Sequence, residues 1–181
     1  VGTIGAPKVT NLPVVADETV IDLSAVPQNK ITSDTIGATV QGLRISDIKL
    51  SDFDTSSGSS DKVTLLSGDG NFIEVGMLAS GTSAPVANTV WTDTGNSYTW
   101  RNKDGVNFTR TFDTDGYVIT ITDKIQNRSK QNISVSPYAR IVRENDMRSA
   151  SGVTSGSVVY VNSDIEDMPW HKLDKKSYAY S

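Results

Sequence analysis

Apolar and polar side chains alternate with period two along short segments of the chain from about residue 18 onward. Clusters of Gly, Asn, Asp and Ser separate these segments, as is usual between antiparallel strands. No stretch of ten or more residues has helical spacing, and only Ile165–Lys176, which contains Pro169, is expected to hold a turn or two of helix. The pattern predicts an all-β fold, an antiparallel sandwich of two sheets packed face to face.

Three regions are expected along the chain. Residues 1–17 are rich in Gly and Pro and form a lead-in or linker, residues 18–164 form the sandwich, and residues 165–181 form a C-terminal segment. The predicted strands are Thr19–Leu23, Lys30–Ser33, Thr39–Ile45, Lys62–Leu66, Phe72–Met77, Val90–Trp91, Ser97–Trp100, Val106–Phe112, Tyr117–Gln126, Asn132–Arg143 and Val158–Val161.

The clearest local signal is a hairpin around Asp113–Gly116. Large apolar residues share one parity on both sides of this turn, so they are expected on one face. Asp115-Gly116 supplies the positive φ that a tight reversal needs. The predicted register places Phe112 near Tyr117 and Phe108 near Ile121.

Two charged residues, Arg110 and Asp123, interrupt the apolar parity of this hairpin. In the predicted register they are not opposite one another. We expect each to reach solvent at a sheet margin or to find a buried partner, in preference to forming a functional pair. The strand after the polar connection Gln126–Asn132 is predicted to be the third strand of this meander, with Pro137 marking a bend, a bulge or an edge.

Composition excludes several classes of function. The chain has no cysteine, which rules out disulfides and thiolate metal sites. Its 17 basic and 21 acidic residues give a net charge of −4, which argues against binding to a nucleic acid backbone. No apolar run approaches the roughly 20 residues that cross a bilayer, and no signal peptide is recognised at the start. Because the chain begins without Met, we expect a processed or trimmed piece of a longer protein.

Residues with catalytic potential are few. His171 is the single histidine and is expected in an exposed tail, so no Ser–His–Asp relay or metal site is predicted. Glu74 lies in a predicted strand, but no second acid has a spacing that supports a glycosidase. Asp113–Gly116 lacks the downstream acid of a calcium loop. We therefore predict no catalytic residue, no metal site and no cofactor.

A modest basic group follows the predicted third meander strand. It consists of Arg140, Arg143 and Arg148. We expect these arginines to lie on a solvated surface, and the alternative is that they form a docking patch for an acidic partner. Trp91 and Trp100 are expected to pack in the core or a cleft, in preference to stacking on sugars.

Five segments resemble a known family in order and spacing. They are Asp34–Val40 (DTIGATV), Lys62–Leu66 (KVTLL), Gly105–Phe112 (GVNFTRTF), Tyr117–Ile121 (YVITI) and Ser136–Tyr138 (SPY). Over about residues 19 to 145 the chain resembles the large periplasmic domain of the YidC family of bacterial inner-membrane protein insertases. The second glycine that is frequent in the first motif of the family is Ala38 here.

The resemblance implies a β-supersandwich related to galactose-mutarotase-like and carbohydrate-binding folds. It implies a non-catalytic domain on the periplasmic side of the inner membrane, with one transmembrane segment before Val1 and about five after Ser181. It also implies that auxiliary subunits of the Sec translocon contact the domain, and that nascent membrane proteins contact the membrane core. The domain then acts as a docking or spacing module.

Two other functions are consistent with the same residues. One is a carbohydrate-binding or mutarotase-like domain of this fold, although the mutarotase-like enzymes use histidines and a glutamate, and His171 lies outside the matched segments. The other is a structural β module of a surface protein. Saturable sugar binding would favour the first, and a repeated module in the parent chain would favour the second.

Overall fold

The computed structural model describes residues 21–68, 70–95, 97–143, 156–161 and 164–169, and all regular secondary structure in these ranges is β. The first six strands are β1 Gln28–Thr32, β2 Ile36–Gln41, β3 Arg44–Asp54, β4 Lys62–Leu65, β5 Phe72–Ser80 and β6 Thr92–Asp93. The others are β7 Tyr98–Arg101, β8 Val106–Asp115, β9 Val118–Asn127, β10 Ser134–Val142, β11 Gly156–Val161 and β12 Asp164–Pro169.

Two main sheets contain ten of these strands. The larger sheet has the order β1-β2-β3-β5-β10, with β4 also paired to β3. The smaller sheet is an antiparallel meander in the order β6-β7-β8-β9. Strands β11 and β12 form a two-stranded antiparallel ladder of their own within the separate C-terminal unit of the chain.

The two main sheets pack face to face, because alternate side chains on each are apolar. One core cluster joins Ile36, Ala38 and Val40 of β2 and Ile45 and Ile48 of β3 to Phe112, Ile119 and Ile121 of the meander. A second cluster consists of Leu43, Met77, Trp91, Val106 and Phe108. Burying one such large side chain stabilises the fold by about 1.5–3 kcal/mol. The predicted sandwich of antiparallel sheets is therefore confirmed.

The predicted strand Thr39–Ile45 is wrong, because the chain reverses inside it. Gly42 has φ 62°, and this turn separates β2 from β3. A Cβ at Gly42 would collide with the carbonyl oxygen of Ala87, so only glycine fits there. A β-bulge follows in β3, where Asp47 has φ 49° and the register with β2 shifts. The bulge lets Ile45 and Ile48, three residues apart, face the same core.

Two predictions near the ends of the chain also differ from the structure. Residues 19 and 20 of the predicted strand Thr19–Leu23 lie outside the described residues, and residues 21–23 are not in a strand. The stretch from Ile165 that was expected to hold helical turns begins in β12 instead, where it pairs with β11.

The predicted hairpin forms, but its register is shifted by four residues. Phe112 pairs with Ile121 and Phe108 pairs with Ile125, because β8 continues to Asp115 and the loop contains only Gly116 and Tyr117. A shift of four residues preserves parity, so the apolar face is the one predicted.

The prediction of β10 as a third meander strand is wrong. β10 leaves the meander and lies beside β5 at the end of the larger sheet. Pro137 is exposed on this strand, and of the three predicted alternatives, a bend, a bulge or an edge, the described strands show an edge.

Candidate functional site

Glu74 lies on the outer face of the larger sheet and is nevertheless only 3% exposed. Its neighbour Ile73 packs against the core cluster between the sheets, so period-two alternation turns Glu74 outward together with Phe72 and Gly76. A buried carboxylate is costly unless charged or polar groups surround it. The residues that surround Glu74 define the first candidate site.

Three side chains hold the Glu74 carboxylate. Arg140 of β10 donates from Nε to Oε1 at 3.0 Å and from Nη2 to Oε2 at 3.1 Å. The Tyr138 hydroxyl donates to Oε1 at 2.9 Å, and Arg44 of β3 donates to Oε2 at 3.4 Å. The paired donors of Arg140 give the strongest of these contacts, because a guanidinium matches a carboxylate at two points. We call Arg44, Phe72, Glu74, Tyr138 and Arg140 the Glu74 cluster.

The aromatic residues of the Glu74 cluster are closely packed. The Arg44 guanidinium lies 3.9 Å from the centre of the Phe72 ring, within the range of a cation–π contact. The Tyr138 ring lies over Gly76, where a Cβ would come within about 2.5–2.6 Å of its atoms. Glycine at position 76 therefore makes room for the tyrosine whose hydroxyl reaches Glu74.

These contacts shift the pKa values of Glu74 and Tyr138 in opposite directions. Burial opposes the charge on Glu74, but the hydrogen bonds from Arg140 and Tyr138 and the positive charges of Arg140 and Arg44 prevail and lower its pKa below 4.5. Burial and the hydrogen bond to Glu74 raise the pKa of Tyr138 to about 12. At neutral pH Glu74 is an anion and Tyr138 keeps its proton, so neither is suited to general acid–base catalysis.

A second buried charge lies between the sheets. The Arg110 side chain is 2% exposed and donates from Nε and Nη2 to the two oxygens of Asp123 at 2.7 and 2.8 Å. Its Nη1 donates to the Val75 carbonyl oxygen of β5 at 2.8 Å, which links the two sheets. Arg110 and Asp123 are direct cross-strand neighbours. The prediction that they are not opposite was wrong, because it rested on the wrong hairpin register, whereas a buried partner was among the expected outcomes.

A polar groove of about 160 Å³ lies on the outer face beside Arg44. Gln41, Ser46, Asp47 and Asn71 are among the residues that line it. The Phe72 ring also lines the groove but is covered by Arg44. Trp91 is buried in the second core cluster, and Trp100 packs against Phe108 at 5.6 Å between ring centres, as expected for core residues. Trp91 and Phe72 are buried, so neither offers an open ring face on which sugars could stack.

The predicted basic group is only partly described. Arg140 belongs to the Glu74 cluster, and Arg143 is exposed directly after β10. Arg148 and His171 lie outside the described residues. The structure thus assigns Arg140 an intramolecular carboxylate, which sequence reasoning missed although it singled out both Glu74 and Arg140.

Two findings concern sites that other functions would need. In the described part of the chain no three or more His, Cys, Asp or Glu residues are grouped so that they could hold a metal ion. Among the same residues, no helix is long and apolar enough to span a membrane.

Comparisons with known proteins give the same family that the sequence resembles. The sequence model of the YidC periplasmic domain matches residues 28–180. The chain is 32% identical to the membrane protein insertase YidC of Sinorhizobium fredii, over 76% of this chain and 30% of that protein. It is also 32% identical to the membrane protein insertase YidC of Rhizobium etli, over 68% of this chain and 24% of that protein. Its identity to the membrane protein insertase YidC of Pelagibacter ubique is 29%, over 62% of this chain and 23% of that protein. No solved structure matches the chain.

Proposed function

The chain belongs to the family of YidC periplasmic domains, and from this premise we propose that it is a non-catalytic docking and spacing module of a bacterial inner-membrane protein insertase. It lies on the periplasmic side and assists the insertion and folding of membrane proteins, with or without the Sec translocon. The insertion step takes place in other parts of the insertase. In support, the chain spans about a fifth to just under a third of the length of the curated relatives it matches.

The observation that carries the proposal is the pairing of the buried charges in the described residues. Arg110 is held by Asp123, and Glu74 is held by Arg140 and Tyr138. Charges fixed in this way stabilise one arrangement of the strands. The lowered pKa of Glu74 and the raised pKa of Tyr138 also make these two groups unsuited to proton exchange with a substrate at neutral pH. They favour a domain that acts through its surface.

Two kinds of partner fit this role. Auxiliary subunits of the Sec translocon contact the domain, and nascent membrane proteins contact the membrane-embedded core of the insertase. Arg143 and Arg148, with the partly exposed Arg140, are candidates for contact with an acidic partner.

The test replaces residues 28–169 of the full-length insertase by a flexible Gly/Ser linker. We expect the amount of auxiliary Sec subunit that co-purifies with the insertase to fall severalfold, while membrane substrates are still inserted. Full-length insertase with Glu74→Gln, which retains the whole domain, is the control. Equal recovery of the Sec subunit with and without the domain would contradict the docking role.

Carbohydrate binding is the alternative function. Sugars stack on open aromatic rings, whereas Arg44 covers the Phe72 ring and Trp91 is buried, so these residues do not favour it. Titration of the 181-residue chain with a panel of sugars separates the two functions. We expect no saturable change in tryptophan fluorescence, and a clear saturation with one sugar would revive the alternative.

A further inference from the structure

One end of the sandwich brings together three segments that are distant in sequence. They are residues 33–37, which lead into β2, residues 51–63, which join β3 to β4, and residues 112–119, which contain the tip of the β8–β9 hairpin. The Thr35 hydroxyl donates to the Gly116 carbonyl oxygen, and the Tyr117 hydroxyl donates to the Asp52 carboxylate. These hydrogen bonds fasten the hairpin tip to the larger sheet. We call these three segments the acidic end.

The acidic end carries more negative charge than the chain as a whole. It contains six aspartates and one lysine, a net charge of −5, whereas the complete chain has −4. All six carboxylates are exposed, and the lysine, Lys62, is paired with Asp54 at 2.6 Å. The aspartates are Asp34, Asp52, Asp54, Asp61, Asp113 and Asp115.

Large apolar side chains are exposed among these charges. Phe53 is 52% exposed, Tyr117 42% and Val118 60%. The rings of Phe53 and Tyr117 contact each other, with 5.7 Å between their centres. Phe53 belongs to β3, and Tyr117 lies in the two-residue turn of the β8–β9 hairpin and is hydrogen-bonded to Asp52. The patch is therefore held in place before any partner arrives, which lowers the entropic cost of binding.

We infer that the acidic end is a docking surface for a basic protein segment that presents an apolar or aromatic side chain. The exposed Phe53, Tyr117 and Val118 supply the apolar contact, and the surrounding carboxylates select positive charge. The same charges repel the anionic headgroups of bacterial phospholipids, so a membrane surface is the disfavoured occupant. The carboxylates are spread around the patch, and no group of three among the described residues could hold a metal ion.

This inference deepens the docking function proposed above and rests on it. It assigns that function to the acidic end, in contrast to the arginines after β10, and it names the chemistry of the partner. A surface of this kind attracts its partner from a distance of about one Debye length, roughly 10 Å at 0.1 M salt.

The experiment uses the 181-residue chain and the synthetic peptide acetyl-Lys-Phe-Arg-Leu-Lys-Phe-Arg-amide, with binding followed residue by residue by NMR. We expect shift changes to concentrate at the acidic end and affinity to fall about tenfold between 50 and 500 mM salt. Val118→Ser is expected to weaken binding about fivefold, because it removes apolar area from the contact. The matched control is Val90→Ser, at a valine that is 52% exposed elsewhere, and it should change affinity less than about twofold.

Three results of the peptide experiment would overturn the inference. They are shift changes located elsewhere on the chain, equal effects of Val118→Ser and Val90→Ser, and equal binding of the peptide in which glutamate replaces each basic residue. Binding of the chain to vesicles of phosphatidylglycerol through this end would also overturn it. If peptide binding fails while removal of the domain still releases the Sec subunit, only the surface is wrong. If that removal has no effect, the docking function itself is wrong.

Discussion

Removal of Asp123 should destabilise the fold strongly, because it leaves the Arg110 guanidinium without its carboxylate between the two sheets. Asp123→Ala takes away two charge-assisted hydrogen bonds of 2.7 and 2.8 Å and leaves the donor to Val75 in place. Loss of one member of a buried ion pair costs about 3–5 kcal/mol. The Asp123 side chain is 19% exposed, so water relieves part of the cost and we expect the lower limit, about 3 kcal/mol.

The assay is urea unfolding of the 181-residue chain, followed by tryptophan fluorescence. With a slope of about 2 kcal/mol per M, the expected cost lowers the midpoint by about 1.5 M. The control is Asp54→Ala, which breaks the exposed pair between Asp54 and Lys62 and should cost less than about 1 kcal/mol.

The double variant Arg110→Met with Asp123→Leu tests the reason for this cost. It replaces both charges by apolar groups, so we expect stability within about 1 kcal/mol of the parent chain. Two results would refute the reasoning. One is an Asp123→Ala variant no less stable than Asp54→Ala, and the other is a double variant as unstable as Asp123→Ala alone.

Three further predictions concern the larger sheet. The pKa of Glu74 is lowered on folding, so its contribution to stability is present above pH 4.5 and is lost as the pH falls through the folded pKa. In a plot of unfolding free energy against pH, Glu74→Gln should therefore show a flatter slope at acid pH than the parent chain. An unchanged slope would contradict this. The pKa of Tyr138 is raised to about 12, so its contribution is lost between pH 10 and 12; in absorbance titrations Tyr138→Phe should lack a tyrosinate with a midpoint near 12, and its persistence would assign that midpoint to another group. Gly42→Ala should lower the urea midpoint by more than Gly116→Ala, because a Cβ at position 42 collides with the carbonyl oxygen of Ala87 whereas none is near position 116; equal effects would exclude the collision as the cause.

Period-two alternation was sufficient to predict the strands of the central hairpin and the face on which Arg110 and Asp123 lie. It could not predict the register, because the expected four-residue loop Asp113–Gly116 and the observed two-residue loop of Gly116 and Tyr117 leave every side chain on the same face. The error mattered, since the two charged residues are opposite one another only in the observed register.

Two other errors have equally local causes. A single strand was predicted across Gly42, although a glycine of positive φ there reverses the chain. The bulge at Asp47 then breaks the alternation that would have revealed the remainder of β3. β10 was assigned to the wrong sheet, because alternation predicts a strand without predicting which strand lies beside it.

The Glu74 cluster was only partly accessible to sequence reasoning. Glu74 shares one face of β5 with Phe72 and Gly76, and a glutamate on a face with such residues indicates that polar partners cover it. Its partners Tyr138 and Arg140 lie 64 and 66 residues further along the chain, and the contact depends on β10 crossing to the larger sheet. No spacing in the sequence encodes that crossing.

The central claim is that the domain acts through its surface and not through its buried carboxylate. The most direct measurement places a photo-cross-linking amino acid at position 118 of the full-length insertase in cells, with and without Glu74→Gln, and compares it with position 90. We predict a cross-link from position 118 to one basic segment, identified by mass spectrometry, that is absent from position 90 and persists with Glu74→Gln. The claim is contradicted if positions 118 and 90 give the same products, or if the cross-link disappears in a folded Glu74→Gln protein.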